Sequence, residues 1–88
     1  MNDHLIFWLG ILAAGLTSLS YLPQVQKALP RGATKDLSVK TLIALTAGLC
    51  CWVAYGAFRQ DIVIIVANSI GAALAATTLA CKLRDMRD

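Results

Sequence analysis

The sequence has no Cys-x-x-Cys motif, and its three cysteines are odd in number, with Cys50 and Cys51 adjacent. Neither a disulfide framework nor a paired-cysteine metal or redox centre is available from such a set, and buried structural thiols are the expected role. Histidine occurs once, as the near-terminal His4, and no nucleophile–base pair or metal-ligand cluster can be assembled. No catalytic residue, metal or cofactor is therefore expected. Charge is also scarce, at 15% of the 88 residues against about 25% in an average soluble domain. Hydrophobic types reach 58%. A chain this small has too much surface to hide that load, which argues strongly against a monomeric water-soluble protein. The net charge of +3 does not point to nucleic acid, because the basic residues flank apolar blocks instead of forming a face of their own.

The missing charge is unevenly missing. Leu5 to Gln26, Thr41 to Phe58 and Ile62 to Cys81 contain no Asp, Glu, Lys, Arg or His, over 22, 18 and 20 residues. About 20 apolar residues at 1.5 Å each span a hydrocarbon core of roughly 30 Å. Inside lipid every backbone group must be bonded within its own segment, so each stretch predicts a helix. The expected fold is an all-α integral membrane protein in one domain, residues 1–88, with helices at about 5–29, 40–58 and 62–82. An amino terminus with Asp3 and no Lys or Arg, before a run longer than a leader's apolar region, predicts a retained helix and not a cleaved leader.

Lys27, Arg31, Lys35 and Lys40 lie in the first connection and Lys82, Arg84 and Arg87 in the carboxyl tail, whereas Arg59 alone lies in the second connection. Three spans put the first two groups on one side, so the amino terminus is expected outside and the carboxyl terminus in the cytoplasm. Arg59-Gln60-Asp61 is short enough to make the second and third helices antiparallel neighbours. The longer first connection, with Pro30 and Gly32, has room to cross over another helix.

Polar residues inside the spans are costly and so informative. None is a carboxylate, which argues against ion-coupled pumps and antiporters. Asn68 lies seven residues after Asp61, and Trp52 seven before Arg59, which puts both roughly 10 Å below the hairpin. An amide level with an indole fits a neutral polyol; an interhelical hydrogen bond and a core or lipid-facing Trp are the plainer readings. Pro23 removes a backbone bond within the first span, with Gln24 beside it, making either a hinge or an ordinary terminal kink. Tyr55, Arg59 and Asp61 sit at the hairpin, either as interfacial anchors or as a breakable gate. Thr17 and Ser20, three apart on the first helix, are candidates with Ala13 for a pocket wall. Ala67, Gly71 and Ala75, and also Gly10 and Ala14, recur every four residues and allow close helix approach in lipid. Three helices barely enclose a solute, whereas a two-fold homodimer of six helices would.

Leu22-Pro23-Gln24-Val25, then Trp52-Val53-Ala54-Tyr55-Gly56 with Arg59 and Asp61, then Ala67-Asn68, keep an order and spacing that resemble the SemiSWEETs. These are bacterial half-size sugar transporters of the SWEET/PQ-loop (MtN3/saliva) family. The resemblance covers nearly the whole chain. It implies a three-helix bundle in spatial order first, third, second, and a parallel homodimer with the pathway on its axis. It implies Trp52 and Asn68 as the sugar-binding pair, Tyr55, Arg59 and Asp61 as the extracellular gate, and Pro23 as the hinge of the cytoplasmic gate. Blocking residues of that gate belong around Leu42 to Leu45. The expected activity is passive uniport of a mono- or disaccharide, of the glucose or sucrose class, across the bacterial inner membrane. A non-transporting subunit of a membrane complex, or a carrier of another small neutral solute, is the alternative.

Overall fold

The computed structural model describes residues 2–88. It contains α1 (Asp3–Ala28), α2 (Val39–Arg59) and α3 (Ile62–Arg87), each long and apolar enough to cross a membrane. The first two lie within two residues of their expected bounds. α3 runs on to Arg87, beyond the Lys82 at which its apolar character stops.

Each helix starts on a side chain that accepts from its otherwise unbonded first N–H groups. Asn2 Oδ1 accepts from Leu5 N at 2.9 Å, and the Ser38 hydroxyl accepts from Thr41 N at 3.2 Å. Asp61 Oδ1 accepts from both Val63 N and Ile64 N, at 3.1 and 3.2 Å. The α2–α3 hairpin is closed by Gln60 in the left-handed region, φ 55°. Gln60 N donates to Ala57 O at 3.1 Å and Asp61 N to Gly56 O at 2.9 Å, the paired bonds of a Schellman ending. One chain reversal thus ends α2 and caps α3 with no residue to spare.

α3 lies in the middle. It packs against α1 on one side and α2 on the other, while α1 and α2 do not pack against each other. The spatial order is therefore first, third, second, and the long connection between α1 and α2 makes the crossing. Small residues make the two seams close. A Cβ on Gly10 would stand 3.0 Å from Val63 on the α1 side, and one on Gly56 would stand 2.7 Å from Ile64 on the α2 side. At the centre, a Cβ on Gly71 would meet the Tyr21 ring at 3.3 Å and Leu49 at 3.4 Å. Side chains from both outer helices thus lean onto the same glycine. Gly71, Ala75, Thr78 and Cys81 continue as a buried stripe along α3.

The assembly measures 51 × 23 × 14 Å, so it is one layer of helices, each roughly 10 Å across. Both faces of that layer are apolar and uncovered, with Leu12, Leu16, Leu19, Trp52 and Phe58 among the exposed side chains. Several hydroxyls in the spans are satisfied locally. Ser20, Thr46, Thr77 and Thr78 each donate to the carbonyl four residues back, at 2.8–3.1 Å. Among the described residues, no buried side-chain nitrogen or oxygen lacks a partner.

Candidate functional site

One face of α2 presents Gly48, Cys51, Trp52 and Tyr55, at the three- and four-residue spacing of a helical stripe. They line an open recess of about 500 Å³. Trp52 and Tyr55 meet edge to face, with ring centroids 5.4 Å apart and planes at 86°. Each fixes the other's tilt, an arrangement aromatic pairs favour. The Trp52 side is 53% exposed and Tyr55 50%, so this plate belongs to an unfinished surface and not to a core. Gly48, with nothing within 4 Å of its missing Cβ, leaves the floor open.

Asn68 is half-buried on α3, and its Nδ2 donates to Ile64 O at 2.9 Å. That bond orients the amide and leaves its carbonyl oxygen and second N–H for a ligand. The recess beside Trp52 is walled by α2 alone. Asn68 does not line it within a single chain, nor do Thr17 and Ser20, which are exposed on α1.

At the hairpin, Tyr55 and Arg59 lie on α2 and both are exposed. Asp61 has turned away to cap α3, and among the described residues no ion pair joins it to Arg59. Both capping bonds use the same carboxylate oxygen, so the other, Oδ2, stays open. The three candidate gate residues share an end of the molecule without forming a closed gate within the chain.

Pro23 lies inside α1, which stays helical through it, and Leu19 O consequently lacks the N–H that would meet it. Gln24 faces a recess of about 340 Å³ at the other, basic end, shared with Lys27, Asp36, Leu42 and Thr78. Leu42 is one of the positions expected near a gate. Cys50 and Cys51 are exposed, which corrects the expectation of buried thiols; only Cys81 is buried. α2 has a single packed edge, through Leu49 and Gly56, and the next two residues around the helix fall off it. Among the described residues, no cluster could hold a metal ion.

Sequence reasoning missed the network at the basic end. Arg84 donates to Leu29 O, Pro30 O and Ala28 O at 2.7, 3.1 and 3.3 Å, and its Nε to Asp85 Oδ1 at 2.9 Å. Asp85 Oδ2 accepts from the Thr34 hydroxyl at 2.6 Å and from Thr34 N at 3.2 Å, and Lys82 donates to Thr34 O at 2.9 Å. Thr34 is wholly buried. These charges read as membrane flanks in the sequence; a buried threonine in a loop was the only hint, and burial is not visible in sequence.

A single layer of three spans, with an aromatic recess on an uncovered face and a proline–glutamine step in its first helix, defines a membrane protein of the PQ-loop class. Residues 5–65 match the PQ loop repeat family, to which the chain belongs. Within it the chain is one of the SemiSWEETs. A protein named sugar transporter SemiSWEET from Bradyrhizobium diazoefficiens is 33% identical over 96% of this chain and 98% of its own length. Proteins of the same name from Leptospira biflexa and Escherichia coli are 39% and 33% identical, over 70% and 89% of this chain. These matches span 73% and 88% of those two proteins. No solved structure matches the chain significantly.

Proposed function

We propose that the chain is a passive sugar transporter, a uniporter for a mono- or disaccharide that works by alternating access along the axis of a parallel homodimer. Its membrane is the bacterial inner membrane, with the amino terminus outside and the basic end in the cytoplasm. The observation that carries this reading is the half-exposed Trp52–Tyr55 plate on an open face of a one-layer molecule. A second copy facing the first would roof the recess and give a neutral polyol two indoles to pack against. Asn68, already steered by its bond to Ile64 O, would supply amide hydrogen bonds from each copy. Sites for small solutes are built this way, from apolar walls with a few placed polar groups.

Arg59 and the open oxygen of Asp61 lie at the hairpin end of each copy, where Arg59 can reach the facing Asp61 and, with Tyr55, close the outside. Pro23 hinges the cytoplasmic side, with Gln24 beside it. Uncharged spans supply no carboxylate to carry a coupling proton, in agreement with uniport. The test is uptake of labelled glucose and sucrose into liposomes without an ion gradient, for wild type, Trp52→Ala and Asn68→Ala. Saturable uptake lost in both variants is the expected result. Uptake that survives both moves the pocket elsewhere; no uptake by a folded homodimer favours another neutral solute or a non-transporting subunit.

A further inference from the structure

We propose that Arg84 is a positioning residue that fastens the part of α1 beyond Pro23 to the end of α3, so that the basic end opens without parting α1 from α3. This rests on the transport reading above and adds which seam stays shut.

A hinge at Pro23 would on its own free the last turn of α1, since that proline removes a backbone bond just before it. Five residues beyond the proline that freedom is taken back. The Arg84 guanidinium spreads over the carbonyls of Ala28, Leu29 and Pro30, where a helix ends with acceptors that lack intrahelical donors. Asp85 holds that guanidinium from the other side through Nε. The same carboxylate takes both the hydroxyl and the N–H of Thr34, while Lys82 takes its carbonyl. Every polar group of Thr34 is thus bonded to α3, and Thr34 itself is wholly buried. Several charge-assisted bonds, converging on a buried threonine and on the end of α1, act together, and a fastening of that kind is not undone in each transport cycle. α2 has no comparable tie to this end: its first turn is capped by its own Ser38. The seam free to open there is the one beside α2 and the facing copy. Only arginine has the planar fork to reach three carbonyls and a carboxylate at once; lysine presents a single point.

Arg31 and Asp88 form an exposed ion pair next to this network without belonging to it, which makes them the place for a tether. Arg31→Cys and Asp88→Cys are introduced into a chain freed of Cys50, Cys51 and Cys81 and joined by a short, reducible bis-methanethiosulfonate. Each protein serves as its own reference before and after joining. We expect sugar uptake of the joined protein to stay within about twofold, because the joined parts already move together. Loss of uptake that reduction restores overturns the proposal. Arg84→Gln and Arg84→Lys should lower the maximal rate on the order of tenfold with KM nearly unchanged. The tether should return most of the rate to Arg84→Gln, a rescue that a role confined to sugar binding would not show. Failure of the tether to rescue a folded Arg84→Gln protein counts against the proposal.

If the parent transports no sugar, the functional reading fails and the fastening is judged separately, by spin labels at the same two positions. Labelled chains are diluted in unlabelled ones so that each distance is read within one chain. One narrow distance in the parent, broadened in Arg84→Gln, supports the fastening; a broad distance in the parent overturns it.

Discussion

The two ends of the molecule are held by different physics. At the hairpin end α2 and α3 are joined by three residues, and nearly every bond is between near neighbours in sequence: the Schellman pair, then the Asp61 cap. At the basic end α1 and α3 are joined by bonds between residues 48 to 56 positions apart, through Arg84, Asp85, Lys82 and Thr34. α3 is therefore tied to α2 at one end and to α1 at the other. The hairpin end leaves its candidate gate groups free, with Arg59 exposed and one oxygen of Asp61 open. The basic end uses almost all of its groups on itself. A layer fastened at alternate edges can shear or bend without losing either seam, and the surface it leaves uncovered is where the aromatic recess lies.

The largest expected effect tests what that uncovered surface is for. Trp52→Ala should lower initial sugar uptake by about thirtyfold or more, the scale at which aromatic anchors carry binding. Phe58→Ala removes a still more exposed ring from the same helix, outside the recess, and should leave uptake near wild type. Equal losses in the two would reduce the recess to ordinary membrane surface.

Steric fit at the α2–α3 seam comes next. Gly56→Ala places a methyl 2.7 Å from Ile64, and overpacking of that kind costs about 1–3 kcal/mol. Thermal unfolding in detergent should show the loss, whereas Gly15→Ala, with open space around it, should match or exceed wild type. A tolerant Gly56 would mean that the hairpin end is looser than its geometry.

Asp61 then separates two roles. Asp61→Ala should cost about 1 kcal/mol of stability through the lost cap. Asp61→Asn keeps a capping oxygen and so the stability, but removes the charge that would meet Arg59. Reduced transport at unchanged melting temperature in Asp61→Asn is the expected result; normal transport would leave the residue a cap and nothing more.

The smallest effect belongs to the exposed Arg31–Asp88 pair. Arg31→Ala should change stability by less than about 1 kcal/mol, and by less still at high salt. A larger loss would extend the buried network outward to the surface.

Much of this architecture was readable in the chain. Lipid forbids unbonded backbone, so long uncharged stretches became helices almost without alternative. The short Arg59–Asp61 connection and the long one from Lys27 to Lys40 anticipated which helices would be neighbours. Gly10, Gly71 and Ala75, from the four-residue repeats, then showed as seams because lipid offers no hydrophobic force to hold larger residues together. Asn68 and Trp52 were likewise placed at one depth by counting along two helices. Counting could not put them in one recess, because a helix's rotation about its axis is set by what it packs against. In a single chain that rotation leaves Trp52 exposed on an open face and Asn68 half-buried, outside the recess.

By itself, then, the sequence determined the environment, the number of spans and their connection, because these follow from length, charge and the cost of bare polar groups in hydrocarbon. Only the tertiary structure decided that Arg84 reaches the end of α1 and that Asp85 and Lys82 bury Thr34. Those outcomes depend on the directions of side chains some fifty residues apart, and no local rule of spacing or composition carries that information.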